Sequence, residues 1–132
     1  MGKLSRDKGA RFERDVAKAL RDVFGEDENV VRGFQSRGGG KEQADVICPI
    51  VHPECKVGAR PNLKAALEQA EADAQPNKIP VAVCRWDGER DAVIAMRFST
   101  WRGMLLAVWK AQQAGLVSDV LPMPLEDDEI SK

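Results

Sequence analysis

The sequence predicts a single α/β domain with the element order α-β-β-β-α-β-β-α, a mixed sheet flanked by helices. Three observations lead there. Apolar residues recur at helical spacing in three segments. Between them lie short runs rich in Val, Ile and Ala, bounded by Gly, Pro, Asn or Asp. Helices and strands do not alternate one for one, which excludes a regular parallel βαβ winding.

The first helix is predicted from about Asp7 to Phe24, where Phe12, Val16, Leu20 and Phe24 share a face and Gly25 ends the run. Val30–Phe34 reads as a strand. Gln35–Gln43, with three consecutive glycines, reads as a loop. Ala44–Cys48 and Glu54–Val57 are the next strands, turning between Pro49 and Ile50, with His52 in the turn. Pro53 suits a strand's start or edge, because it lacks an N–H for a central ladder. Asn62 caps a second helix reaching to about Ala74, with Leu63, Ala66, Leu67 and Ala70 on one face. Val81–Trp86 and Ala92–Met96, joined across Asp87-Gly88-Glu89-Arg90, predict a hairpin. Ser99 caps a last helix carrying Trp101, Leu105, Val108 and Trp109, and Gly115 stops it. The two tryptophans lie two turns apart on one face, which fits core or dimer packing better than base stacking.

Composition narrows the class. The 132 residues are 43% hydrophobic and 31% charged, an ordinary globular balance. No stretch approaches the ~20 apolar residues that span a bilayer. Three cysteines and no apolar leader segment predict a reducing, cytoplasmic setting. The net charge of −1 conceals an asymmetry: Asp119, Glu126, Asp127, Asp128 and Glu129 crowd the end of the chain. Residues 1–118 read as the folded domain and 119–132 as an acidic, disordered tail. Residues 1–41 are mildly basic, with ten Lys or Arg against seven acids. Charge alone leaves the partner open.

The chemistry concentrates at Asp45 and Glu54-Cys55-Lys56. Alternation along a strand puts Glu54 and Lys56 on one face and Cys55 on the other. A hairpin between the second and third strands sets Asp45 opposite Glu54, so two carboxylates and a lysine converge. Carboxylates that close repel unless a cation lies between them, and their hard oxygens suit Mg²⁺. The same residues would also serve a surface hairpin with a salt bridge. Glu13, at the margin of the first helix's apolar stripe, is a third acid within range, or else a solvated helix-edge residue. Cys48-x3-His52-x2-Cys55 holds zinc-competent side chains, but at a spacing foreign to common zinc motifs.

Gly9-Ala10-Arg11-Phe12-Glu13-Arg14-Asp15-Val16, the Ala44-Asp45-Val46-Ile47 strand and Glu54-Cys55-Lys56 together resemble the PD-(D/E)XK nuclease superfamily. Within it, the chain is similar to archaeal-type Holliday junction resolvases and their phage-encoded relatives, over roughly residues 5–97. The resemblance implies a restriction-endonuclease-like fold and a crossover-junction endodeoxyribonuclease that nicks four-way DNA junctions as a homodimer in a bacterial or archaeal cytoplasm. It implies Mg²⁺, with Mn²⁺ as a substitute. Asp45 and Glu54 would be metal ligands, Glu13 would join them directly or through water, Lys56 would be the catalytic lysine and Gln69 a supporting residue. Arg32, Arg37 and Lys41 fit phosphate contact. The resolvases' loop serine aligns with Arg37 when the chains are matched on Asp45, or with Ser36 after a one-residue slide. Another nuclease of this superfamily, or a non-catalytic DNA-binding protein, is the competing reading.

Overall fold

The computed structural model describes residues 2–33 and 45–118. Along the chain lie α1 (Lys3–Phe24), a 3-10 turn (Glu26–Glu28), β1 (Val31–Arg32), β2 (Val46–Ile47), β3 (Val51–Gly58), α2 (Leu63–Asp73), β4 (Ile79–Trp86), β5 (Val93–Ala95) and α3 (Phe98–Gln113). This is the helix and strand order that the sequence predicts. The glycine-rich loop and the acidic tail fall outside the described residues.

β3 and β4 run parallel, from Val51 opposite Ile79 to Gly58 opposite Trp86, with α2 as the crossover. β5 returns antiparallel to β4, Val83 facing Ile94. β1 and β2 form a separate antiparallel pair. The expected hairpin between the second and third strands is therefore not a continuous ladder, and the residues explain why. The Asp45 N–H donates to the Pro53 carbonyl at 3.2 Å, so Pro53 turns its backbone edge toward β2. Proline has no N–H to return there. Two residues on, the Cys55 N–H faces the same way but donates to the Asp45 carboxylate at 2.7 Å. A side chain has taken the place of a ladder bond. Pro53 thus sits in mid-strand, yet on β3's open edge, as its chemistry requires.

His52 is not a turn residue. β3 begins three residues earlier than expected, and His52 lies buried within it. The turn is tighter: the Val51 N–H donates to the Pro49 carbonyl at 2.8 Å across Ile50, whose φ of 72° is rare for a β-branched residue.

Two small cores flank the three-stranded sheet. On one face Cys55, Val81 and Val83 pack with Phe12, Val16 and Ala17 of α1, together with Val46 and Cys48. Arg85 lies with its guanidinium 4.9 Å from the centre of the Phe12 ring. On the other face Ala82 and Cys84 pack against Ala66 and Leu67 of α2. Asn62 caps α2 as predicted, accepting the Ala65 N–H at 3.0 Å.

α3 departs from expectation. It starts at Phe98 with Arg97, not Ser99, at its N-cap, and Arg97 instead grips Glu71 of α2 through two bonds of 2.7 and 2.8 Å. It buries none of its residues; Trp101 and Trp109 stand exposed rather than in a core.

Candidate active site

The site grows out of the break between β2 and β3. Because the Asp45 backbone is held against the edge of β3 by its bond to Pro53, its carboxylate meets the Cys55 N–H and comes within hydrogen-bonding reach of the Glu54 carboxyl. Strand alternation turns Glu54 and Lys56 to the α2 side, and the Lys56 Nζ lies 3.5 Å from Glu54 Oε2. Glu54 is nearly enclosed, its side chain 11% exposed, whereas Lys56 is 52% exposed. A solvent-exposed cation therefore stands at the mouth of a sheltered acid pair.

Burial is the main influence on these acids. It raises Asp45 above the ordinary carboxyl range, against the Cys55 N–H and the Lys56 charge, which pull it down. Burial, then the Asp45 charge, pushes Glu54 up to about 7. Near neutral pH Glu54 is thus poised between its protonated and ionised forms, beside the Asp45 carboxylate. Two hard carboxylates close enough that burial and mutual repulsion favour a proton on one of them mark a place that a divalent cation can take. Asp45 and Glu54 are the residues that could hold it.

Glu13 reaches the same neighbourhood from α1, near enough to feel the charges of Asp45 and Lys56. Its carboxylate is occupied: Arg32 Nε donates to it at 2.5 Å. Among the described residues no three His, Cys, Asp or Glu side chains come together closely enough to hold a metal. Glu13 is thus a neighbour of the acid pair, tied to Arg32, and Arg32 itself faces an acid. Cys55 is deep in the core, where burial holds its thiol protonated. Ser36, Arg37 and Lys41 lie outside the described residues.

Gln69 joins the site from α2. It lines, with Lys56, Arg60 and Asn62, an open groove of about 410 Å³. Its amide donates to Asp73 at 2.5 Å, and Asp73 in turn adds to the negative surroundings of Glu54. Arg60 and Asp73 escaped the sequence reading. Arg60 sits in a Gly-Ala-Arg-Pro connection with no motif of its own; only its place just beyond the strand that carries Lys56 pointed to it.

The family model described as "Phage putative PDDEXK endonuclease" matches residues 4–102, a span that contains Glu13, Asp45, Glu54, Lys56 and Gln69. The chain belongs to this phage PD-(D/E)XK endonuclease family. Comparison with curated proteins and with solved structures gave no match. As a PD-(D/E)XK nuclease it is a nucleic-acid-binding hydrolase, from a superfamily that generally uses a divalent metal. No helix among the described residues is long and apolar enough to cross a membrane.

The acid pair should cost the nuclease fold stability as pH rises. Glu54 holds its proton more tightly folded than unfolded, so its contribution to stability is full below pH 4.5 and is lost as pH rises through about 7. Wild type without metal should melt several degrees lower at pH 8 than at pH 5. Glu54→Gln should remove most of that difference, and Mg²⁺ should restore the wild-type melting temperature at pH 8 but not at pH 5. Calorimetry at the two pH values reads all of these.

Proposed function

We propose that this chain is a Mg²⁺-dependent, structure-selective DNA endonuclease that resolves four-way junctions by paired nicks. The observation that carries the metal-dependent chemistry is the sheltered Asp45–Glu54 pair with Lys56 at its mouth. The junction preference rests on the likeness of Glu54-Cys55-Lys56 to the resolvases. A divalent cation held by Asp45 and Glu54 would supply a water of lowered pKa and a positive charge toward the scissile phosphate.

The remaining steps belong to the protein. Asp45, fixed by the Cys55 N–H, cannot rotate away when Glu54 gives up its proton, so the pair stays aimed at one point. Lys56, exposed and flexible, can follow the phosphate and offset the charge that builds on it during in-line displacement. Gln69, held by Asp73, flanks the groove into which the strand next to the cut would pass, and Arg60 offers that strand a phosphate contact. The Arg32–Glu13 pair stands beside Asp45, where Arg32 can transfer from the acid to a phosphate.

A four-way junction and a linear duplex of the same sequence, incubated with Mg²⁺ under single-turnover conditions, test the reading. Symmetrically placed nicks in the junction alone support it. Equal cutting of both makes the chain a general nuclease of the superfamily, and binding without cutting in Mg²⁺ or Mn²⁺ makes it a binder. The loop offers a finer check. Arg37→Ala should weaken DNA binding and flatten its salt dependence, since fewer counterions are released. If Ser36 takes the resolvase serine's place, Ser36→Ala slows cutting at unchanged affinity; if Arg37 does, Ser36→Ala is silent and Arg37→Ala slows cutting.

A further inference from the structure

Among the described residues, two apolar features stand without cover. The first is α3, sixteen residues that bury nothing. Phe98, Trp101, Leu105 and Trp109 fall along one stripe at helical spacing, and Phe98 and Trp109 are 71% and 57% exposed. Met104 and Leu106 flank it, also exposed. The second is a groove of about 260 Å³ on the sheet face that α1 only partly covers. Its walls include Leu20, Val51, Pro53, Ile94 and Met96, and every lining residue is apolar. The stripe and the groove are chemically alike and each needs cover.

The helix is poorly placed to fill the groove of its own copy. Val83 faces Ile94 across the ladder, which puts Ile94 and Met96 on the α1 side. Ala95 points to the α2 side. Arg97 follows the same alternation and is held by Glu71 of α2. A single residue separates Met96 from the first turn of α3, so the helix leaves from the side opposite the groove. Occupancy from a second copy meets no such constraint. It also satisfies both features in both molecules, because a two-fold axis makes each exchange reciprocal. The area is adequate. The exposed portions of Phe98, Trp101 and Trp109, with those of Met104, Leu105 and Leu106, leave on the order of 600 Å² to bury per copy, and the groove walls bring this toward the ~800 Å² that one partner contributes to a standard interface.

We propose that α3 is an exchange arm: Phe98, Trp101, Leu105 and Trp109 of one copy seat in the groove lined by Leu20, Val51, Ile94 and Met96 of a second copy. Neither the stripe nor the groove includes Glu13, Asp45, Glu54, Lys56 or Gln69, so the interface forms irrespective of the nuclease chemistry.

Sedimentation of the full chain, without DNA or metal, tests the proposal. Wild type should sediment as a dimer, at twice the 14.5 kDa of one chain. Trp101→Lys with Trp109→Lys should raise the dimer dissociation constant by roughly 100-fold, with the far-UV spectrum and melting temperature of the separated chains retained. Ile94→Lys, on the groove side, should do the same. Mixing the two variants should regain partial association, since one intact arm then meets one intact groove. A monomeric wild type would overturn the proposal, as would a dimer indifferent to the tryptophan substitutions. A dimer lost with the tryptophans but indifferent to Ile94→Lys would mean that α3 does not seat in this groove. Dimerisation only after removal of 119–132 would show that the chain's own tail covers these surfaces, and would equally overturn it.

Discussion

Glu54→Gln and Asp45→Asn should each lower the rate of strand cleavage by roughly 10³-fold or more, while DNA binding stays intact or tightens. Both replacements keep the shape of the side chain and remove the charge that would hold a cation. The two differ in what they do to the fold. Glu54 is the residue that burial and the Asp45 charge push up to about 7, so a neutral amide there relieves repulsion and should stabilise the protein above neutral pH. Asp45 accepts the Cys55 N–H, and an asparagine oxygen can still accept it, though more weakly than a carboxylate. Asp45→Asn should therefore gain less stability than Glu54→Gln. Single-turnover cleavage with a binding assay and a melting curve separates loss of chemistry from loss of fold. Wild-type turnover by either variant in Mg²⁺ would remove the acid pair from the mechanism.

Lys56→Ala should cost about 10²–10³-fold in the single-turnover rate, with DNA affinity nearly unchanged. Its charge matters most as negative charge gathers on the phosphate, and an exposed cation contributes little to ground-state binding. A second readout is independent of the first. Lys56 pulls down the pKa of both Glu54 and Asp45. Without it the acids hold their protons to higher pH, and the rising limb of the pH–rate profile should move to alkaline pH. Lys56→Arg, which keeps the charge, should leave that limb close to wild type. A variant that loses affinity but keeps its rate and pH profile would make Lys56 a phosphate anchor.

How much of this was legible in the sequence follows from which interactions are local. The Asn62 cap, the β4–β5 hairpin and the order of elements depend on residues a few positions apart, and sequence patterns record them directly. The convergence of Asp45, Glu54 and Lys56 was also legible, since strand alternation and one connection suffice. The route was different from the expected one: Asp45 reaches Glu54 by capping the Cys55 N–H at a broken edge, not by facing it in a ladder. Ile50 at positive φ gave no glycine or asparagine signal, so the start of β3 and the burial of His52 were missed. The bond of Glu13 to Arg32 spans α1 and β1, and nothing in either segment announces it. Periodicity showed that α3 has an apolar face. It could not show what that face meets, because spacing within a helix carries no information about a partner surface.

The central claim is that a divalent cation held by Asp45 and Glu54 displaces the proton of Glu54. Titration calorimetry of Mn²⁺ into the protein, repeated in buffers of different ionisation enthalpy, counts the protons released on binding. The account predicts release of close to one proton per ion at pH 6, where Glu54 is protonated, falling toward none well above its pKa of about 7, and no such release from Glu54→Gln at any pH. Binding at pH 6 without proton release, or release unchanged in Glu54→Gln, would contradict it.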